Sequence, residues 1–244
     1  MLTTDTAPTV QTHSRIRLLL LVGFGLAIVL VGVTLLRYRG NAQSATGYLG
    51  LGLAGIGTLL VAGLLLALPA TRTHSAEGAR TLSNGVVLGV VLGILWILEI
   101  NYNNIFTPPI AVRDPVDNVF WAVIALAIFV QAFLAAFRTQ RFFRGVQAGF
   151  WSGTVSGLVA CLMGLALVVF LLRLVTADPV SLQEWNELGR SSGAPDIATY
   201  FAYETLAGAL LHLFVLGAIM GVLLGVLGGG LGRIAAVIFR RSAR

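Results

Sequence analysis

The residues best suited to chemistry are four polar side chains set within or beside long apolar runs: Glu99, Gln131, Glu204 and His212. Glu204 and His212 are eight residues apart, so one face of a helix carries both, separated by about 12 Å along its axis. Ionisable groups at such depth in a membrane are costly to bury and often serve transport. This pattern predicts a proton or cation path near the four residues.

Each of these residues also has a structural interpretation. A neutral His212 can hydrogen-bond a neighbouring helix, and Gln131 can do the same for roughly 1 kcal/mol. Glu99 stands at the end of an apolar run beside a cluster of asparagines, where a carboxylate can be solvated or can pair with Arg113 or Arg39. From the sequence, both interpretations stay open.

Catalytic and metal chemistry find little support. The chain has one cysteine, Cys161, and no two histidines at metal-ligand spacing. Ser156 precedes a glycine and His212 follows later, but no glycine stands two residues before the serine and no oxyanion donor is evident. The glycine-rich stretch 228–232 follows an apolar run and no strand, so it is not a phosphate-binding loop. We expect no enzyme, no metal and no cofactor.

The elements that position these residues are apolar runs long enough for the roughly 20 residues of helix that cross a bilayer. Hydrophobic residues make up 57% of the chain and charged residues 11%, against roughly 25% charged in a soluble domain. The strands of a membrane β-barrel would alternate apolar and polar residues, and the sequence shows no such alternation. The sequence predicts an all-α polytopic integral membrane protein with short loops and six transmembrane helices, at 18–36, 48–68, 82–100, 119–137, 145–172 and 205–227.

The two ends of the chain differ from this apolar middle. Residues 1–13 are polar and carry no positive charge, so we expect a disordered cytoplasmic tail before a transmembrane domain at 14–230. Residues 231–244 place apolar side chains on one helix face beside four arginines. This pattern favours a basic helical extension at the cytoplasmic headgroups.

The longest loop, Thr176–Tyr203, joins the fifth and sixth runs. Within it, Ser181 and Glu184 match a capping box, and apolar residues follow at helical spacing. The loop therefore predicts a short interfacial helix on the outer membrane surface. Asp196 is suited to cap an early start of the sixth helix.

Arginine distribution sets the predicted orientation. Eleven of the sixteen basic residues flank the runs on the side that both termini share, so the positive-inside rule places both termini in the cytoplasm. The net charge of +6 comes from these flanking arginines and forms no nucleic-acid patch, so no nucleic-acid partner is expected. Lysine is absent, which we attribute to genome composition, and we expect a prokaryotic plasma membrane.

Three runs carry glycine at every fourth position, which strips one helix face to bare backbone. In lipid, helices associate through close contact of this kind. We expect the three helices to pack together in the cytoplasmic half, or else to offer a groove to a partner protein, a lipid or a pigment. The ladders are Gly85, Gly89 and Gly93 in the third run, Gly145, Gly149, Gly153 and Gly157 in the fifth, and Gly217, Gly221, Gly225 and Gly229 in the sixth.

These patterns concern helix contact more than chemistry. They favour a non-enzymatic accessory or scaffold subunit of a membrane assembly, whose partners are the lipid bilayer and other membrane subunits or a second copy. An alternative function is a small ion or solute transporter or channel that uses Glu99, Gln131, Glu204 and His212. A third is lipid or pigment binding in a glycine-lined groove.

Overall fold

The computed structural model of the chain describes residues 7–38, 45–67 and 75–242. Within these ranges the regular elements are all helical. Six helical segments are long and apolar enough to cross a membrane, which confirms the predicted all-α, six-span architecture and indicates an integral membrane protein. They are Ser14–Arg37, Leu49–Leu66, Ala76–Phe106, Ala111–Thr139, Phe142–Ala177 and Ile197–Ser242.

Within the described residues, nine α-helices and three π-helical segments form these spans and the segment that connects the fifth span to the sixth. The π-helical segments are Tyr102–Phe106, Leu167–Leu171 and His212–Ile219, and they continue the third, fifth and sixth spans. The α-helices are α1 (Ala7–Arg37), α2 (Ala45–Ala67), α3 (Ala76–Asn101), α4 (Ile110–Thr139), α5 (Phe142–Ala166), α6 (Leu172–Ala177), α7 (Pro179–Glu187), α8 (Ile197–Leu211) and α9 (Met220–Ser242).

Helix α1 begins earlier than the sequence suggests. It starts at Ala7 and so covers 7–13, which the sequence analysis assigned to a disordered tail. Pro8 falls in its first turn, where the missing backbone N–H of proline costs nothing. The rest of that predicted tail, residues 1–6, lies outside the described residues.

Helix α7 is the short helix predicted between the fifth and sixth spans, but its cap differs from the prediction. The N-cap is Asp178, whose carboxylate accepts a hydrogen bond from the backbone N–H of Ser181 at 3.4 Å. The predicted capping box is therefore wrong, because Pro179 fits the first helical position and starts the helix before Ser181. Asp196 caps α8 as predicted, through a 2.7 Å bond from the backbone N–H of Thr199.

Helix α5 is the centre of the bundle. It packs against α1, α3, α4, α8 and α9, and every residue from 151 to 158 is buried. Its buried stretch is rich in glycine, alanine and serine, so neighbouring helices approach it on several sides. Helix α2 packs mainly against α1 and exposes most of its leucines. The fifth span therefore fixes the positions of the third and the sixth.

Candidate functional site

The glycines of α5 meet the sixth span backbone to backbone. A Cβ atom on Gly149 would lie 2.5 Å from the carbonyl oxygen of Gly221, and one on Gly153 would collide with the carbonyl oxygen of Gly217. Real Cβ atoms essentially never come within 3.0 Å of such atoms, so only glycine fits at either position. Backbone of the facing helix also lies within 4 Å of the Cβ positions of Gly145, Gly157, Gly221, Gly225 and Gly229.

The glycines of α3 face side chains of α5 together with its backbone, since a Cβ atom on Gly89 would also lie 2.9 Å from the carbonyl oxygen of Ser152. Cβ atoms on Gly85 and Gly93 would lie 2.9 Å and 2.6 Å from the Cβ atoms of Trp151 and Val159. Gly89, between them, faces Val155 in the same way. The three glycine ladders therefore lie against neighbouring helices inside the bundle, in the half away from α7.

At the other end of the bundle, beside α7, the helices line a partly open cavity of about 270 Å³, which we call the α7 cavity. Glu204, Gly208 and His212 line it from the sixth span, as their shared helix face predicts, and Glu184 lines it from α7. No atom of another residue lies within 4 Å of the Cβ position of Gly208, so this face of the sixth span looks into open space. The remaining lining is mainly apolar and includes Phe201.

Each π-helical segment contributes a residue to this cavity. Asn104, Leu167 and His212 lie in the segments of the third, fifth and sixth spans, and all three line the α7 cavity. A π-helical segment widens the local turn and is frequent at functional sites. The irregular parts of three separate spans therefore converge on one place.

The imidazole of His212 is held by its own helix. Its Nδ1 lies 2.7 Å from the carbonyl oxygen of Gly208, so Nδ1 donates the proton and Nε2 keeps its lone pair in the neutral ring. Nε2 is buried and has no hydrogen-bond partner in the described part of the chain. The ring packs edge-on against Trp96, with 4.9 Å between centroids. The predicted bond from His212 to another helix is therefore replaced by a bond within the helix.

Glu99 is buried, with 6% of its surface exposed, so its predicted solvation is wrong. Its Oε1 accepts a hydrogen bond from Nδ2 of Asn103 at 2.9 Å, and the same Nδ2 donates to Oδ1 of Asp117 at 2.8 Å. One amide therefore joins two carboxylates and ties the end of α3 to α4. No ion pair to Arg113 occurs in the described part of the chain, and Arg39 lies outside it.

Gln131 lies in a different place from the other three predicted residues. It lines a separate cavity of about 250 Å³ between α3 and α4, with Glu77 and Arg138, at the end away from α7. Glu204 and His212 share the α7 cavity. Glu99 is separated from His212 by two tryptophans, because Trp121 lies beside its carboxylate and packs against Trp96, which in turn contacts the imidazole. The structure thus brings together two of the four residues and leaves Gln131 apart.

The sequence patterns did not single out several residues of this region. Asn103 carried a usable signal, since it follows Glu99 by four residues and so shares its helix face. Asp117 and Trp121 carried no such signal, because they approach Glu99 only through the way the chain turns into α4. Two serines of the sequence, Ser152 and Ser156, bond carbonyls of their own helix.

We expect that replacing Asn103 by alanine destabilises the protein by about 1–3 kcal/mol, because the carboxylates of Glu99 and Asp117 lose their shared donor. Thermal unfolding in detergent measures the effect. Asn101→Ala is the matched control, since that amide bonds only the carbonyl of Ile97 in its own helix. Equal shifts in the two variants would show that the bridge contributes nothing.

Comparison of the chain with protein-family models, curated proteins and solved structures finds no match. The α7 cavity combines two glutamates, the His212 side chain and an apolar wall. Such a lining attracts positive charge but offers few ligands to Ca²⁺ or Mg²⁺, which take six or more oxygens.

Proposed function

We propose that the protein is a non-enzymatic membrane transporter that binds a small organic cation in the α7 cavity. The observation that carries this proposal is the pair of carboxylates, Glu184 and Glu204, that line one cavity without an arginine among the described lining residues. Two acidic groups against a largely apolar wall favour a cation that also buries carbon. The arginine distribution supports an orientation in which this end of the bundle faces the outside of the cell.

Size and shape agree with a small solute. The cavity of about 270 Å³ falls just below the roughly 300–1,000 Å³ of pockets for drug-sized ligands. Phe201 supplies an aromatic side chain at the wall, and aromatic faces attract alkylammonium groups. Glu184 is held in place by the hydroxyl of Tyr200, which donates a hydrogen bond to it at 3.1 Å.

The two halves of the bundle differ in the way that alternating access requires. Backbone contacts hold α5 tightly against the sixth span in the half away from α7, while the three π-helical segments at the cavity interrupt the regular helices. Transporters use interrupted helices at their binding sites and move one group of helices against another. This arrangement supports a transporter that faces outward in the present conformation.

Binding is tested with choline and its uncharged isostere, in which a carbon atom replaces the nitrogen. We expect choline to raise the melting temperature of the purified protein saturably, and the isostere to leave it unchanged. Equal shifts, or no shift with either choline or tetramethylammonium, would contradict cation binding. Choline uptake into proteoliposomes then tests transport, and saturable binding without uptake would overturn that part.

An accessory subunit remains the second candidate, favoured by one face of α2. Gly50 and Gly57 are seven residues apart, and no atom lies within 4 Å of either Cβ position. Exposed leucines surround them, including Leu53, Leu60 and Leu64. Gentle extraction from native membranes should recover a partner that a Gly50→Leu, Gly57→Leu double variant loses. A lone monomer from wild-type membranes would dispose of this candidate.

A further inference from the structure

A second cavity, of about 380 Å³, lies where α4 turns into α5, at the end of the bundle away from α7. We call it the arginine pocket, because Arg141, Arg144 and Arg233 line it together with Gln147 and Phe143. Arg141 and Arg144 come from the start of α5, whereas Arg233 comes from α9. Two helices that are far apart in sequence thus contribute three arginines to one pocket.

The described protein neutralises only part of the positive charge in the pocket. Its lining has no carboxylate, and the nearest ion pair joins Arg141 to Glu77 at 3.8 Å with both side chains exposed, where such a pair is weak. Arg144 donates only to neutral groups, the amide of Gln147 at 2.7 Å and a serine hydroxyl at 2.8 Å. Arg233 makes no ion pair within the described residues. An anion is therefore the complementary ligand.

The position of the pocket points to the chemical class of that anion. The fourth span ends at Thr139 and the fifth begins at Phe142, so the pocket lies at the level where hydrocarbon gives way to headgroups. Phe143 lines the pocket and has 78% of its surface exposed. An aromatic side chain at this level contacts the boundary between acyl chains and headgroups. The ligand therefore has an anionic head and a hydrocarbon body.

We propose that the arginine pocket binds the phosphate of an anionic phospholipid headgroup. Guanidinium groups bind phosphate oxygens through paired hydrogen bonds, which a single surface charge does not provide. The Gln147 amide accepts from Arg144 through its oxygen, so its NH₂ group is left to donate to the headgroup. The lipid would join α5 to α9 at the closed end of the bundle, a role separate from solute binding in the α7 cavity.

Native mass spectrometry tests this proposal with protein mixed with equal amounts of phosphatidylglycerol and phosphatidylcholine that have the same acyl chains. We expect wild-type protein to retain phosphatidylglycerol preferentially, and an Arg141→Gln, Arg233→Gln double variant to retain it about tenfold less. Arg240→Gln is the matched control, because Arg240 lies on the same helix as Arg233 but outside the pocket. It should leave retention unchanged.

Equal retention of the two lipids, or an equal loss in Arg240→Gln, would overturn the proposal. Inorganic phosphate should fail to displace phosphatidylglycerol, and displacement by phosphate at the same concentration would show a site for free anions. The double variant must melt like wild type in phosphatidylcholine alone. If it does not, Arg233→Gln alone carries the test, with an expected loss of about threefold, and unchanged retention would again overturn the proposal.

Discussion

Replacing Gly153 by alanine should lower the free energy of unfolding by about 1–3 kcal/mol, and replacing it by valine should prevent the bundle from forming. The reason is the contact with the sixth span, where the added carbon would collide with the backbone of Gly217 and lie 2.8 Å from the Cα of Gly221. Backbone in two packed helices cannot move aside as the end of a flexible side chain can. Size-exclusion profiles and thermal unfolding in detergent measure both effects.

Two controls separate this contact from a general effect of losing glycine. Gly32→Ala in α1 should change stability by less than about 0.5 kcal/mol, because no atom lies within 4 Å of its Cβ position. Gly85→Ala should fall between the two, since the added carbon would lie 2.9 Å from the Cβ of Trp151 and 3.3 Å from the nearest backbone atom, the carbonyl oxygen of Ala148. If Gly153→Ala and Gly32→Ala gave the same stability, close contact between α5 and the sixth span would be refuted.

Replacing Glu204 by glutamine should weaken choline binding about tenfold, equivalent to about 1.4 kcal/mol. The change keeps the size of the side chain and removes one of the two carboxylates that line the α7 cavity. Glu204 is exposed and makes no ion pair within the described residues, so folding should be unaffected. Titrations of the melting temperature with choline give the two dissociation constants.

The control for this variant is Glu187→Gln, which removes the same charge from α7 outside the cavity. Glu187 accepts a hydrogen bond from Gln183 at 2.8 Å and does not line the cavity. We expect its affinity for choline to stay within about twofold of wild type, since exposed charges at a distance are screened by salt. An equal loss in both variants would show that only the overall surface charge attracts the cation.

The six spans were predictable because apolar runs of this length rarely form anything other than membrane-spanning helices. The cap at Asp196 was predictable because a single candidate N-cap residue was identified before α8. The cap of α7 was not, since Asp178 and Ser181 are both acceptable caps three residues apart. Pro179 favours a helix that starts at its own position, and the capping box favours one that starts after Ser181. The sequence does not show which of these two preferences is stronger.

The site was only partly predictable for a related reason. Glu204 and His212 depend on one helix and its period, so their common face followed from spacing alone. The position of Gln131 depends on how α4 is rotated, and its contacts with α5 and α9 fix that rotation. The arginines of the arginine pocket matched the pattern of topology signals, and nothing in their spacing indicated that Arg233 lines the same pocket as Arg141.

The most direct test of the account is thiol labelling of Gly208→Cys in a Cys161→Ala background. The Cβ position of Gly208 faces open space in the α7 cavity, and the native cysteine is buried and is removed as a precaution. A membrane-impermeant quaternary-ammonium methanethiosulfonate applied from outside should modify this cysteine faster than its sulfonate counterpart, and choline should slow the reaction. Labelling only from the cytoplasmic side, or at equal rates with both reagents, would contradict an outward-facing cation site.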